Sequence, residues 1–376
     1  MKIGIITFHR AYNCGAVLQA WALKTQLERM GHSVEFPICN HIGETKSRWR
    51  AKIPKGRTGF SWLKGALGAL MVNALSIGMD DDKRIFADFR SRRLPERDCK
   101  VEELARFYDL IVVGSDQVWR TFFTGSSASV FFGESLPSGL PRIGYAVSYG
   151  DRAVHGAELE RIVAAVDRFN SVSAREDLVR EQLTPLVSKD IQVVLDPTLV
   201  LEAHDYDDLG ADCIPPEKYL FCYTISQSMF VFNTVKKLAG ALGLKAIIAP
   251  GYYYSRYKMP GGLTKHISPD KLISYTRNAE CVIAGSFHGT ALGIVFNKPL
   301  LSIRNECGEK YSRPLSLLRQ LNEEKRLVTP ETKIDDMLQM LSDPIGGAAR
   351  ERLGVLRDKS KAWLSDAIDD AMKDVW

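Results

Sequence analysis

Residues 2–36, KIGIITFHRAYNCGAVLQAWALKTQLERMGHSVEF, decide the fold. The isoleucines of residues 2–7 predict a short buried strand, and Asn13–Ala16 predict a turn. Apolar residues then recur at helical spacing from Val17 to Leu27, and Gly31 ends the predicted helix before a second strand begins. A strand–turn–helix–strand unit of this kind is typical of a parallel, doubly wound sheet.

The alternation of strands and helices continues through the rest of the chain in two series. The first series contains predicted strands at 109–113, 142–147, 171–173 and 191–195. The second contains predicted strands at 219–225, 245–249, 281–284 and 300–303. We therefore predict an α/β fold with two Rossmann-like domains facing a cleft, residues 1–195 and 196–330. C-terminal helices over 331–376 carry one apolar stripe and are expected to pack back on the first domain.

Residues 41–100 interrupt this alternation and are predicted to form a helical insertion in the first domain. Residues 46–100 contain 14 Lys and Arg against 6 Asp and Glu, whereas the whole chain of 376 residues has a net charge of only +5. Cations over 46–57 precede an amphipathic stretch over 62–75. This pattern favours either a peripheral contact of 46–75 with an anionic membrane surface or a solvated loop followed by a docked helix.

The composition is that of a globular protein, with 45% hydrophobic and 25% charged residues, which excludes collagen-like and disordered classes. The seven cysteines are odd in number and none are paired at CxxC spacing, so we expect neither a disulfide scaffold nor a zinc site. Reduced thiols predict a cytoplasmic protein. GxGxxG, Walker A and HExxH motifs are absent, and Asp80–Asp82 are interpreted as a solvated helix start. We expect no metal, no cofactor and no nucleic-acid partner.

The strongest candidate site is Ser286–Phe287–His288–Gly289–Thr290, which follows a predicted buried strand and opens a helix. The unpaired amides of a helix N-terminus, here including that of Gly289, suit a phosphate or carboxylate. His288 is placed to contact the same anion and to move a proton, and Ser286 and Thr290 add hydroxyl groups. The alternative is a histidine that only caps the helix.

Two further motifs follow predicted strands. Arg175 could hold a carboxylate or phosphate with its guanidinium fork, or it could form an ion pair with Glu176, Asp177 or Asp196. In the turn that contains Asn13 and Gly15, the glycine permits close approach of a ligand to the backbone, although a plain turn explains the pattern equally well. Cys14 begins the helix, where a thiol pKa is lowered, but the sequence offers no base for it.

Polar residues that could bind a saccharide follow the strands at 109–113 and 142–147. Trp119 could stack on a sugar face or simply cover the sheet edge, and Ser115, Asp116, Gln117 and Ser148 could bind hydroxyl groups. Asp196–Pro197 reads first as a rigid turn.

In order and spacing, five motifs within roughly residues 1–325 resemble those of the polysaccharide pyruvyl transferase family. They are Ile3–Leu23 with its segment Asn13–Gln19, Gly114–Trp119, Ser173–Glu176, Asp196–Thr198 and Ser286–Thr290. The resemblance implies a GT-B-like fold and transfer of a pyruvyl group from phosphoenolpyruvate to two hydroxyls of a sugar, which gives a cyclic ketal in surface polysaccharide. It also implies that Arg175 and His288 lie at the phosphoenolpyruvate site. The implied acceptor is a lipid-linked saccharide at the inner face of the cytoplasmic membrane.

The sequence departs from the family at Ser286, because many members carry an arginine there. Arg304 or Arg313, further along the chain, could supply the missing cation. Phosphoenolpyruvate is a polyanion, so we expect Arg175 and His288 to converge in an electropositive crevice between the domains. There Arg175 would hold the anion and His288 would act as general acid or base.

Three other functions stay open from the sequence. Ser148, Asp196 and His288 follow the chain order of an α/β-hydrolase triad, although no oxyanion loop of the HGGG type precedes Ser148. A nucleotide-sugar glycosyltransferase could use the same two-domain scaffold, since fold does not fix chemistry. A non-catalytic scaffold would explain the serine at position 286.

Overall fold

The computed structural model describes residues 1–39, 79–210, 215–225, 228–251, 267–304 and 312–373. Within these ranges the strands form two sheets, and every strand pair is parallel. The first sheet contains β1 (Lys2–Ile6), β2 (Ser33–Ile38), β3 (Glu96–Asp98), β4 (Leu110–Asp116), β5 (Arg142–Val147), β6 (Ser171–Ala174) and β7 (Gln192–Val193). The second contains β8 (Tyr219–Thr224), β9 (Lys245–Pro250), β10 (Cys281–Gly285), β11 (Leu300–Ile303) and β12 (Leu327–Val328).

Helices connect the strands and cover both faces of the sheets. In the first half of the chain they are α1 (Cys14–Arg29), α2 (Met79–Arg93), α3 (Leu104–Phe107), α4 (Thr121–Thr124), α5 (Ala128–Phe131), α6 (Gly156–Arg168), α7 (Asp177–Leu183) and α8 (Pro197–Val200). In the second half they are α9 (Met229–Ala241), α10 (Pro269–Asn278), α11 (Phe287–Val295), α12 (Arg313–Gln320), α13 (Ile334–Met340) and α14 (Gly347–Lys373). No described helix combines the length and the apolar character needed to cross a membrane.

The strand order of each sheet contains one switch point. The first sheet has the order β3-β2-β1-β4-β5-β6-β7, so the connections reverse direction between β1 and β4. The second has the order β12-β11-β10-β8-β9 and reverses between β8 and β10. Open parallel sheets bind ligands beyond the carboxyl ends of the strands at such points. The chain therefore has two Rossmann-like domains, each with one expected ligand site.

The buried strands form where the sequence predicts them because their residues are apolar on both faces. All residues of β4, β5 and β8 are buried, as expected for parallel strands that have helices on both sides. Helix α1 begins at Cys14 because Asn13 caps it, its Oδ1 accepting a hydrogen bond from the Ala16 amide at 3.0 Å. The residues just beyond the strands are thereby fixed at the edges of the two sheets.

A continuous apolar core joins the two domains. Buried side chains of β1 and β5 belong to the same packed cluster as those of β8 and β9. The ring of Trp21 on α1 lies 5.3 Å from that of Tyr206, which lies 5.6 Å from that of Phe296 at the end of α11. The two sheets are thus held through shared packing as well as through polar contacts.

The C-terminal helix α14 lies against the first sheet and the residues that follow it. Ser360 Oγ accepts a hydrogen bond from the amide of Leu195 at 3.0 Å, and Arg357 donates to the carbonyl oxygen of Leu199 at 2.8 Å. The ring of Trp363 packs near Tyr145 on β5, with their centres 6.0 Å apart. The chain therefore returns from the second domain to the first.

The predicted helical insertion over 41–100 needs a correction at its C-terminal end. Helix α2 lies there, but β3 follows and pairs in parallel with β2 as an edge strand. The strand is short and reads Glu-Arg-Asp, a charged pattern that protects sheet edges and carries no apolar strand signal. Arg97 of β3 pairs with Glu35 of β2 at 2.5 Å. The proposed membrane segment 46–75 lies outside the described residues.

Candidate active site

The two switch points face each other across one crevice. Asn13 follows β1 and Asp116 ends β4, whereas Tyr223 lies in β8 and Ser286 follows β10. All four line the same crevice, together with Gln117, Ile225, Phe287, His288 and Arg313. Asn13 Nδ2 also donates a hydrogen bond to the carbonyl oxygen of Gly251 at 3.3 Å, which ties the two edges together. The expected ligand sites of the two domains therefore merge into one.

His288 faces a buried carboxylate. Its Nε2 lies 3.7 Å from Oδ2 of Asp196, a distance suited to an ion pair rather than a hydrogen bond. Burial would raise the pKa of Asp196, but His288 and the charge of Arg175 hold that pKa well below its usual range. Oδ1 of Asp196 accepts from both the amide and the hydroxyl of Thr198, which fixes the carboxylate. Asp196 is thus more than the rigid turn expected from the sequence.

Gly15 makes room for the His288 ring. A Cβ atom at position 15 would overlap Nδ1 and Cγ of the imidazole. The close approach predicted at this glycine is therefore to a side chain of the other domain. Cys14, next to it, donates through Sγ to the carbonyl oxygen of Ile267 at 3.5 Å and is buried.

Arg175 lies beside His288 but is enclosed by carboxylates. Its Nη1 donates to Asp196 at 3.0 Å, its Nη2 donates to Asp116 at 3.2 Å, and its Nε lies 3.5 Å from Glu176. The side chain is 1% exposed, and its guanidinium lies 4.6 Å from the ring of Phe287. Arg175 and His288 thus converge on one oxygen of Asp196, as the sequence predicted. The guanidinium of Arg175 is occupied by ion pairs, which is the alternative that the sequence analysis left open.

The first turn of α11 divides its polar groups between the crevice and the sheet. Ser286 caps the helix, accepting from the amide of Gly289 at 3.1 Å, and it lines the crevice. Thr290 is fully buried and bonds to Ser302 Oγ at 2.9 Å and to the carbonyl oxygen of Ser286. Its hydroxyl therefore fixes α11 to β11. The structure gives Thr290 this supporting contact in place of the predicted ligand-binding role.

Of the residues predicted to bind a saccharide, Asp116 and Gln117 line the crevice, whereas Trp119 is part of the core. Trp119 is fully buried, donates to the carbonyl oxygen of Phe131 at 3.1 Å and stacks on Phe132. A sugar cannot reach its faces in this arrangement, so the covering role left open by the sequence is the one observed. Ser115 is also fully buried, and its hydroxyl bonds to Asp196 at 3.2 Å.

Ser148 does not form a catalytic triad with His288. Its hydroxyl is fully buried, donates to Glu176 Oε1 at 2.6 Å and accepts from the amide of Gly150. The α/β-hydrolase reading therefore lacks the nucleophile–base hydrogen bond that it requires. Glu176 is a residue that the sequence suggested only as a partner of Arg175.

Of the two arginines proposed to replace the missing family arginine, Arg313 reaches the crevice. It is the first residue of α12, lines the crevice, and pairs with Asp151 at 3.1 Å and with Asp116 at 3.9 Å. Arg304 follows β11, where its amide bonds to the carbonyl oxygen of Val328 at 2.9 Å, and it is not among the described residues that line the crevice.

The carboxyl groups of the site outnumber its guanidinium groups, which corrects the expected electropositive crevice. Among the described residues, the guanidinium groups of Arg175 and Arg313 face the carboxyls of Asp116, Asp151, Asp196 and Glu176. Burial reduces the negative charge of this set, because it raises the pKa of Glu176 to about 7 against the opposing effects of Arg175 and Ser148. The described residues of the site thus form a buried ion-pair network without a surplus of cations.

Two parallel α/β domains with a buried histidine–carboxylate pair between their switch points define a GT-B-like protein with one interdomain site. The chain belongs to the polysaccharide pyruvyl transferase family, whose model matches residues 13–306. The matched region includes four of the five motifs in full and the part of the first motif from Asn13 onward. No curated protein matches the chain.

Three solved structures are similar to nearly the whole of this chain at low sequence identity. The S. aureus MnaA–UDP co-structure is 13% identical, covers 93% of this chain and 94% of its own, and has a TM-score of 0.49. UDP-N-acetylglucosamine 2-epimerase from Rickettsia bellii is 10% identical over 100% of this chain and 99% of its own, with a TM-score of 0.49. The glycosyltransferase VinC in complex with dTDP is 10% identical over 99% and 100%, with a TM-score of 0.45.

Proposed function

We propose that this protein transfers a pyruvyl group from phosphoenolpyruvate to two hydroxyls of a saccharide and forms a cyclic ketal. Family membership supports a pyruvyl transferase. The observation that carries the proposal for this chain is the buried pair of His288 and Asp196, with Nε2 and Oδ2 3.7 Å apart, in the crevice where both switch points meet.

The histidine–carboxylate pair suits the proton transfers that ketal formation needs. Ionised Asp196 lies beside Nε2, where it would orient the ring and offset the positive charge that develops on it while a proton is transferred. His288 would protonate the departing phosphate, a role that typically contributes about 10²–10⁴-fold to the rate.

The anion of the donor substrate would be held by groups of the second domain. Arg313 lines the crevice, and the start of α11 presents amides and the Ser286 hydroxyl there. Arg175 would act as a positioning residue, because three carboxylates already engage its guanidinium. It would hold Asp196 at a fixed distance from His288.

The test is mass spectrometry of products after incubation with phosphoenolpyruvate and a mixture of p-nitrophenyl glycosides of the common hexoses. The wild-type protein and His155→Ala, which changes an exposed histidine, should form the pyruvyl ketal and release phosphate. His288→Ala should form neither. Full ketal formation by His288→Ala would remove the histidine from the mechanism. A glycosylated acceptor and free UDP in a parallel incubation with UDP-sugars, without any ketal, would favour the glycosyltransferase alternative.

We further propose that the natural acceptor is lipid-linked and reached at the cytoplasmic face of the membrane. The support is the cationic run over 46–57 and the apolar stretch over 62–75 in the sequence, each cation contributing about 1 kcal/mol near anionic lipid. The protein should float with phosphatidylglycerol vesicles at low salt and be released at high salt. Flotation that is absent, or equal with phosphatidylcholine vesicles, would contradict this proposal.

A further inference from the structure

A second cleft, of about 310 Å³, opens at the seam between the domains beside the crevice. Ligand sites in proteins have volumes from about 300 to 1,000 Å³, so this cleft can hold a small ligand such as one sugar unit. The loop after β5 and the start of α7 line it from the first domain, and α12 lines it from the second. Arg313 lines both this seam cleft and the crevice of His288.

The walls of the seam cleft are fixed by contacts between the domains. Ser316 on α12 donates through Oγ to Asp177 Oδ2 at 2.9 Å, and it accepts from the amide of Asp177 at 3.3 Å. Arg313 binds Asp151 through both its amide and its side chain, at 2.7 and 3.1 Å. The cleft is therefore a built feature of the seam.

Glu176 supplies a buried polar atom to this cleft. The residue is 3% exposed and lines the cleft, and its Oε1 accepts from Ser148 at 2.6 Å. Its Oε2 has no hydrogen-bond partner among the described residues and lies 3.5 Å from the Nε of Arg175. Buried carboxylate oxygens nearly always have a hydrogen bond, so this atom is suited to accept one from a ligand.

The charges that line the seam cleft indicate an uncharged ligand. The three guanidinium groups of Arg180, Arg313 and Arg319 do not outnumber the carboxyl groups that line the cleft, which are those of Asp151, Glu176, Asp177 and Glu181. A polyanion gains little from such a surface, whereas fixed donors and acceptors in alternation suit a ligand with many hydroxyl groups. The chemistry of the cleft therefore favours a neutral saccharide over phosphoenolpyruvate or a nucleotide.

We propose that the seam cleft binds the acceptor saccharide and that Glu176 removes the proton from an acceptor hydroxyl as its oxygen bonds to C2 of the pyruvyl group. This inference rests on the proposed function. Arg175 connects the two parts of the site, because it contacts Glu176 through Nε and the Asp196 partner of His288 through Nη1. The guanidinium of Arg175 would thus connect Glu176 on one side with Asp196, the partner of His288, on the other.

The proton balance of the reaction gives such a second group a defined role. When the two acceptor oxygens bond to C2 and the C2–O bond to phosphate breaks, the acceptor loses two hydroxyl protons. One proton ends on the methylene carbon, which becomes a methyl group, and the other ends on the released phosphate. Glu176 would take a hydroxyl proton and pass it on, so that it begins and ends each turnover ionised.

Glu176→Gln tests the chemical role, because the amide keeps the shape and can still accept from Ser148. The burial of Glu176 raises its pKa to about 7, so wild-type kcat/KM for the glycoside that is ketalised best should rise with pH through about 7. The variant should lose about 10²–10⁴-fold in kcat and lose this pH-dependent limb. It should bind phosphoenolpyruvate in calorimetry as the wild type does. Weakened phosphoenolpyruvate binding, or an unchanged pH profile, would overturn the inference.

Exposed arginines of the cleft test the binding role without disturbing the core. Arg319→Ala should raise KM for the glycoside about tenfold, consistent with one lost hydrogen bond to a charged group, and should leave KM for phosphoenolpyruvate unchanged. Arg106→Ala is the matched control, because this exposed arginine lies on α3, at the amino-terminal edge of the first sheet. Equal effects of both substitutions would overturn the assignment of the cleft.

The same experiments separate this inference from the function on which it rests. If the wild-type protein forms no ketal from any glycoside, the proposed function fails and the inference falls with it. If the wild type forms the ketal and Glu176→Gln and Arg319→Ala behave as the wild type does, only the inference fails.

Discussion

Gly15 and His288 come from different domains and are packed directly against each other. The imidazole fits only because position 15 has no Cβ atom. The glycine therefore fixes the position of the ring to which we assign the proton transfers, although it carries no functional group itself.

Gly15→Ala should displace His288 and lower kcat about 100-fold, since a misplacement of about 1 Å can have that effect on a catalytic group. The variant should remain folded, because alanine is favourable in a helix. Gly240→Ala is the control: this glycine lies in α9, and an added Cβ meets nothing within 4 Å. Ketal formation measured for both variants decides, and wild-type activity of Gly15→Ala would mean that the ring position is not critical.

Glu176 should also make stability depend on pH. Its pKa is raised in the folded protein to about 7 by burial, so the folded state holds the proton more tightly than the unfolded state does. Stability from this group is complete below the unfolded pKa and is lost as pH rises through about 7, a change of roughly 3 kcal/mol. Urea unfolding should show Glu176→Gln gaining stability over the wild type from about pH 5 to about pH 8. A pH-independent difference between the two would contradict this.

At the scale of the element, the N-terminus of α11 has a structural task and a proposed functional one. The Ser286 oxygen caps the helix by accepting from the Gly289 amide, and its hydroxyl hydrogen is still available to a ligand in the crevice. Ser268 caps α10 in the same way, accepting from the amide of Lys271 at 3.1 Å. The two serines therefore form a matched pair.

Ser286→Ala and Ser268→Ala should each lose about 1 kcal/mol of stability, the usual effect of removing a cap. Only Ser286→Ala should also raise KM for phosphoenolpyruvate, by about tenfold, because a hydrogen bond to a charged ligand is lost. Thermal unfolding and steady-state kinetics measure the two effects. An unchanged KM in Ser286→Ala would assign the serine to capping alone.

The elements that the sequence predicts best are those whose signal is local. The strands 142–147 and 300–303 have the predicted bounds because their apolar runs are continuous. Strand β3 was missed because its charged residues pair along the sheet edge, with Arg97 against Glu35. The burial of Trp119 and the enclosure of Arg175 by carboxylates depend on which side chains meet across the fold, and spacing along the chain does not contain that information.

At the scale of the whole molecule, the shared core makes the two domains depend on each other for stability. Trp21, Tyr206 and Phe296 form a row of rings from the first domain to the second, inside the cluster that contains strands of both sheets. Loss of either domain would expose apolar surface of the other, at roughly 25 cal/mol per Å².

Calorimetry should therefore show one unfolding transition for the full chain, with equal calorimetric and van't Hoff enthalpies. Phosphoenolpyruvate should raise its midpoint without splitting it, because a ligand of the folded state stabilises the whole cooperative unit. Two resolved transitions would mean that the domains unfold independently.

The row of rings also limits how substrates reach the buried histidine. A hinge motion that opens the two domains would have to separate Trp21 from Phe296 and expose the apolar surface between them to water. Substrates are instead expected to enter through two openings on either side of Arg313, with phosphoenolpyruvate entering through one and the saccharide through the other. The guanidinium of Arg313 would then separate the entrance of one substrate from that of the other.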